Sequence, residues 1–175
     1  MPNQTLGVIL AGGGSRRMGE DKAQMLLDGK PMIDHMALIM KQIGITEIIV
    51  SGDVAGYDCL LDETPQAGPA TAIIGVIKQR PGFDRYLIMP VDMPLFPTAL
   101  GQQLLAAPAS AYFADSILPI CLHGPGRDGT AITMRDLARL YGATEIASPA
   151  DQPSEAFLNI NTAEEYAIAE RAFAN

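Results

Sequence analysis

Basic residues are scarce in this chain: twelve Lys and Arg stand against twenty Asp and Glu, for a net charge of −8. A nucleic-acid binder needs a basic face, so this balance excludes that class. Cysteine is nearly absent. Cys59 and Cys121 both sit among apolar residues and have no zinc-site spacing, which fits reduced thiols in a cytoplasmic protein rather than a disulfide framework. No apolar run approaches the roughly 18 residues that a membrane-crossing helix needs. No basic residue precedes the first apolar run, so Met1-Pro2-Asn3-Gln4-Thr5 does not read as a secretory leader. Only His35 and His123 are present, and no Ser-His-Asp or Cys-His arrangement is suggested.

What is present is 175 residues with 48% hydrophobic content, enough for one domain with a core of ordinary size. The charge is unevenly spread. Residues 1–30 hold four Lys/Arg against three Asp/Glu, whereas residues 31–175 hold eight against seventeen. A locally basic start on an acidic body suits a small phosphorylated ligand drawn to one spot.

That spot is Leu10-Ala11-Gly12-Gly13-Gly14-Ser15-Arg16-Arg17-Met18-Gly19-Glu20-Asp21-Lys22. The apolar run Leu6 to Leu10 reads as a buried strand leading into it. Three glycines then strip the turn of Cβ atoms and let backbone approach a ligand closely. N–H groups bared in this way can form an anion nest, and the cations that follow suit phosphate oxygens. The plainer alternative is a flexible glycine loop with a solvated charge run. A Walker A loop is excluded because Glu20 follows Gly19. A dinucleotide fingerprint starting at Gly12 is excluded because Arg17 stands where its third glycine belongs.

Beyond the loop, strands and helices alternate. Met32, Ile33, Met36, Ile39, Met40 and Ile43 form a helical core stripe ending at Gly44, with His35 read as a surface or edge residue. Thr46 to Val50 reads as the second strand and Tyr57 to Leu61 as a shorter third, followed by Asp62-Glu63; Gly68-Pro69 opens a helix. Arg85 to Met89 is a strand that runs into Pro90-Val91-Asp92-Met93-Pro94. A carboxylate just past a buried strand, stiffened by prolines, is well set to hold a hard cation such as Mg²⁺; a plain turn aspartate is the alternative.

A helix over 98–106, strands at 109–114 and 117–122, and a helix through Ile132, Met134, Leu137, Leu140 and Tyr141 follow. Residues 148–155 read as a surface loop and Ala156 to Thr162 as a short strand giving way to a turn. Thr162 and Glu165 form a capping box for a last helix from Ala163 to about Phe173. Asn159 and Asn161 are either turn asparagines or polar ligands of a metal or substrate. The alternation argues for a single α/β domain, a mainly parallel sheet in three layers.

Leu-Ala-Gly-Gly-x-Ser-x-Arg-Met-Gly-x-Asp-Lys resembles the signature of the MobA-like nucleotidyltransferases, and within them most closely the molybdenum cofactor guanylyltransferases. Val91-Asp92-Met93-Pro94 is similar to that family's metal motif, and Asn159-Ile160-Asn161-Thr162 to its late Asn-x-Asn-Thr, so the resemblance spans the chain. It departs at Gly68-Pro69-Ala70-Thr71-Ala72, where the family commonly has Gly-Pro-Leu-x-Gly, and at Val91, where it often has Cys.

The resemblance implies a Rossmann-like three-layer α/β/α sandwich of the nucleotide-diphospho-sugar transferase type, with one late strand antiparallel. It implies transfer of GMP from GTP to the terminal phosphate of molybdopterin with release of pyrophosphate, in the cytoplasm, with Mg²⁺ as cofactor and cofactor-delivery proteins as partners. Lys22, Asp92 and Arg17 would be catalytic. Leu10, Ala11, Gly12, Gly13, Gly14, Lys22, Asp62 and Asp92 would bind the nucleotide, and Asp92 and Asn161 the metal. A related enzyme with another base or acceptor, such as a cytidylyltransferase, is the alternative, and a non-catalytic nucleotide-binding module is the rival from another class.

Overall fold

The computed structural model of the chain describes residues 4–12, 21–61 and 67–174. Among these, six strands of one sheet run parallel, five of them before the edge strand β9 (Thr144–Ile146). The five are β1 (Thr5–Leu10), β4 (Glu47–Ser51), β5 (Cys59–Leu60), β6 (Arg85–Pro90) and, further out, β7 (Ala111–Phe113). β8 (Ser116–His123) inserts antiparallel between β6 and β7, and β9 (Thr144–Ile146) closes the far edge parallel to β7. The sheet order is β5-β4-β1-β6-β8-β7-β9. A two-strand hairpin, β2 (Leu26–Leu27) and β3 (Lys30–Pro31), stands apart from it.

Successive strand residues face opposite sides of a sheet, and here both sides are buried. Ile9, Val50, Leu87, Met89 and Cys121 point into one core with Ile33, Met36 and Met40 of α1 (Met32–Ile43) and Leu100 and Leu104 of α3 (Thr98–Ala106). Leu6, Val8, Ile49, Tyr86, Ile88 and Leu122 point the other way. They meet Ile73 and Ile77 of α2 (Pro69–Gln79) and Leu137 of α4 (Met134–Leu140). Each fully buried aliphatic side chain contributes roughly 1.5–3 kcal/mol. The three-layer expectation and the antiparallel late strand are both observed.

The predicted helical stripe is α1 itself, and Gly44 ends it in the left-handed region at φ 105°. α5 (Ala163–Phe173) begins at the predicted capping box, with both reciprocal hydrogen bonds between Thr162 and Glu165 in place. Three expectations need correction. His35 is buried: its Nε2 lies 2.7 Å from the Leu27 carbonyl oxygen, and its ring meets Phe173 edge-on at 4.7 Å. The β2–β3 hairpin folds back over α1 and covers it, and two-residue strands leave no readable periodicity. Residues 156–162 form no strand, because Ala156 and Leu158 use their N–H groups in local turns to Pro153 and Glu155. Ile132 is 80% exposed and lies ahead of α4, whose N-cap is Thr133 with Asp136 completing a capping box. β9 was not anticipated; Thr-Glu-Ile is too short to show alternation.

Candidate active site

The parallel strands β1, β4, β6, β7 and β9 end at one edge of the sheet, the edge where open α/β sheets bind ligands. Leu10, the last residue of β1, accepts from Val91 N–H at 3.0 Å, which joins the start of the glycine loop to the segment carrying Asp92. The N–H groups of Ala11 and Gly12 both donate to the Ser51 carbonyl oxygen at 2.9 Å. This narrows the anion-nest expectation. Leu10, Ala11 and Gly12 anchor the loop to β1, β4 and β6, and their engaged groups are not free N–H donors for phosphate. Gly13, Gly14, Arg17 and Asp62 lie outside the described residues.

Gly52 makes this anchoring possible. A Cβ there would sit 3.0 Å from Gly12 N and 3.1 Å from the Ala11 carbonyl carbon, and its φ of +142° disfavours any side chain. No role was expected of Gly52 itself; its place in Ser-Gly-Asp, just past the carboxyl end of an internal parallel strand, is the signal for one.

Lys22 is presented by a short 3₁₀ turn, Lys22–Gln24. Asp21 caps that turn by accepting from Ala23 N–H at 3.0 Å, and Ala23 is wholly buried in the core. The cap and the buried alanine together fix where the lysine side chain leaves the backbone, a positioning role for Asp21 that motif reading left unassigned. Lys22 Nζ donates to Asp92 Oδ2 at 3.1 Å and to Asn161 Oδ1 at 2.5 Å. The Lys22 and Asp92 side chains are only 13% and 18% exposed, so water screens this pair less than it would a surface pair.

Asn161 is held from three directions. Its Nδ2 donates to the Asn159 carbonyl oxygen at 3.3 Å, which turns Oδ1 toward the lysine. Its backbone N–H donates to Glu165 Oε2 at 2.7 Å, and the preceding Ile160 N–H donates to the Asp92 carbonyl oxygen at 2.8 Å. Ile160 is buried with Leu27, Met32 and Ala169 in a small core of its own. Of the two asparagines, Asn161 turns its side chain to Lys22, and Asn159 contributes its main-chain oxygen to Asn161. Glu165 titrates below its ordinary value, chiefly because it accepts the Asn161 N–H, then through the Thr162 hydroxyl and N–H, with the Lys22 ammonium adding to this.

Two hard oxygens, one anionic and one neutral, thus already converge on a single cation. This donor chemistry fits a divalent ion such as Mg²⁺ or Mn²⁺, which binds one or two carboxylates and fills its remaining positions with water and substrate phosphate. Among the described residues no cluster of three His, Cys, Asp or Glu side chains competes with it. Both cysteines are free, and burial pushes the Cys121 thiol up to about 12, far from a reactive thiolate.

A family model for the MobA-like NTP transferase domain matches residues 7–141. A relative from Xanthomonas euvesicatoria pv. vesicatoria, named molybdenum cofactor guanylyltransferase, is 32% identical over 173 residues, covering 91% of each chain. The crystal structure of molybdopterin-guanine dinucleotide biosynthesis protein A from Archaeoglobus fulgidus superposes with a TM-score of 0.72 at 16% identity, covering 97% of this chain and 98% of that one. A manganese complex of a Mycobacterium tuberculosis protein superposes with a TM-score of 0.62 at 17% identity, covering 97% and 99%.

Proposed function

The chain belongs to the MobA-like NTP transferase family, and we infer from its site that it works as a molybdenum cofactor guanylyltransferase. It carries out GTP-dependent guanylyl transfer in the making of molybdopterin-guanine dinucleotide. In the proposed reaction an oxygen of the terminal phosphate of molybdopterin attacks the α-phosphorus of GTP. The bond from that phosphorus to the β-phosphate oxygen breaks, and pyrophosphate leaves with its electron pair.

No covalent intermediate on the protein is required, so the work is positioning and charge neutralisation. The proposal rests on one observation: residues 22, 92 and 161 meet through a single ammonium at the ligand-binding edge of the sheet. Lys22 neutralises the phosphates, and Arg17 assists from the loop. Asp92 and Asn161 would hold the divalent ion, Mg²⁺ in this reading, which when bound offsets the negative charge of the triphosphate and the leaving pyrophosphate. Asp21 fixes the turn that carries Lys22, and Gly52 fixes the start of the loop. The neutral amide of Asn161 lets an anionic acceptor approach without the repulsion of a second carboxylate, worth about 1 kcal/mol at 4 Å even in water.

We place the reaction in the cytoplasm, where both thiols stay reduced. The deciding experiment supplies purified molybdopterin with each nucleoside triphosphate in turn and identifies products by mass spectrometry while pyrophosphate is followed. The expected result is a guanine dinucleotide and pyrophosphate release that depends on the acceptor. Release without dependence on any phosphorylated acceptor, or a cytosine product formed as readily, overturns the reading.

A further inference from the structure

Lys22 is placed by the chain on both sides of it. Asp21 caps its turn from before, and the residues after the turn run at once into the β2–β3 hairpin. Met25 joins turn and hairpin: its N–H donates to the Lys22 carbonyl at 3.3 Å, and its carbonyl accepts from Met32 N–H at 2.9 Å. Whatever holds the hairpin therefore also holds the lysine. Within the hairpin Leu26 stands opposite Pro31, which has no N–H, so the Leu26 carbonyl receives nothing from the residue it faces.

Its donor comes from α5. The Tyr166 hydroxyl donates to the Leu26 carbonyl across 140 positions of sequence. The next carbonyl, of Leu27, lies 2.7 Å from His35 Nε2, and the His35 ring meets Phe173 near the end of the same helix. Glu170 also faces the Tyr166 hydroxyl. Burial first, and then this carboxylate, raise the pKa of the phenol, so it stays protonated and able to donate.

Tyr166 follows directly on Glu165, whose Oε2 accepts the N–H groups of Asn161 and Thr162. Two consecutive residues of α5 thus grip two separate arms, Glu165 the one bearing Asn161 and Tyr166 the one bearing Lys22. Those arms meet where Lys22 Nζ donates to Asn161 Oδ1. They also share apolar packing: Leu27 and Ile160 are buried in one small core with Ala169, and Met25 and Tyr166 pack against it. Packing of this kind is non-directional, whereas a hydrogen bond to one carbonyl fixes a register.

We propose that Tyr166 is a positioning residue for Lys22. Its hydroxyl sets the hairpin against α5, and so delivers the ammonium to the place where it meets Asn161, Asp92 and the phosphates. The size of the effect rests on the phosphate role given to Lys22 in the transferase reading above.

The test is a double-mutant cycle on the full chain, read by calorimetric titration with Mg-pyrophosphate, a probe that carries neither base nor acceptor. Tyr166→Phe keeps the ring in its core, removes only the hydroxyl, and should weaken the probe about fivefold. Lys22→Ala should weaken it about tenfold or more. Adding Tyr166→Phe to Lys22→Ala should then change nothing further, because the hydroxyl acts through the ammonium; losses from independent sites would add. A hydroxyl that only stabilises the fold would lower the melting temperature and leave the affinity of Tyr166→Phe at the wild-type value. That result, or a full fivefold loss retained in the Lys22→Ala background, overturns the proposal. Guanylyl transfer is followed separately in wild type: its failure with a coupled cycle removes the transferase reading alone, and its success does not rescue an additive one.

Discussion

The two halves of the sheet edge are built by different means. On the nucleotide side, β1, β4 and β6 run parallel, their ends are tied by backbone hydrogen bonds through Leu10, Ala11, Gly12, Ser51 and Val91, and the functional side chain follows within the same short motif. On the side proposed for the acceptor, β8 reverses direction, the strands beyond it are short, and Asn161 sits on a loop tied by backbone bonds such as Ile160 to Asp92 and, at Asn161 itself, by side chains. Asn161 reaches Lys22 across 139 positions of sequence and Asp92 reaches it across 70. A nest anchored by backbone depends on glycines and tolerates little variation; a loop anchored by side chains can be retuned by single substitutions. The proposed reaction assigns phosphate chemistry to the rigid half and recognition of the acceptor to the other.

The largest expected break in this division comes where the halves meet. Asp92→Asn should fold normally and lose divalent-ion-dependent turnover by about 10²-fold or more, read as the initial rate of pyrophosphate release. Wild-type turnover in that variant would remove Asp92 from the metal site. Next comes the nucleotide side. Lys22→Ala should weaken binding of Mg-GTP by roughly 1.5–3 kcal/mol in a calorimetric titration, the worth of a hydrogen bond to a charged group. Unchanged affinity there would sink the phosphate role of the loop.

The acceptor side should respond in rate rather than in nucleotide affinity. Asn161→Asp should bind Mg-GTP nearly as wild type and slow transfer, because the added charge meets the incoming acceptor phosphate, an effect of about 1 kcal/mol or somewhat more where water is partly excluded. Asn161→Ala should cost less, and rates measured with saturating GTP and varied acceptor separate the two. Equal losses of GTP affinity in both variants would erase the distinction between the halves.

These differences also explain what was legible in the residues. The glycine loop, Lys22 and Asp92 fall in contiguous motifs whose chemistry depends on local order, and α1, α3 and α5 announce themselves by period or cap. His35 and residues 156–162 were misread because contacts that no residue pattern marks decide their state: the β2–β3 hairpin and Phe173 bury the histidine, and the loop is shaped by turns to Pro153 and Glu155, by Phe157 on Phe96 and by Ile160 on the Asp92 carbonyl. The pairing of Ser51 with Ala11 and Gly12 was equally unreadable, since a backbone carbonyl carries no sequence signature.

The smallest expected effect concerns the Glu165 clamp. Its carboxylate is held below its ordinary value of 4.5 by groups that bind the charged form. Its contribution to stability is therefore fully present above that value and is lost as the pH falls through the lower folded value. Wild type should melt slightly higher than Glu165→Gln near neutrality, and the gap should close as the pH drops below 4.5. A gap that is constant with pH would show that charge at this position does not matter.

The lysine bridge between Asp92 and Asn161 means that the seat proposed for a divalent ion is held by a counter-ion belonging to the protein. Loading the site is then an exchange of cations rather than a simple addition. Asp92 and Asn161 would hold the ion only with the Lys22 ammonium turned away from them, where it would be free to meet the triphosphate. Each ligand thus removes a cost that the other would have to meet, and by linkage the factor by which the ion tightens GTP must equal the factor by which GTP tightens the ion. The chain would discriminate against either one alone, so that nucleotide without metal, or metal without nucleotide, finds the lysine still in its place.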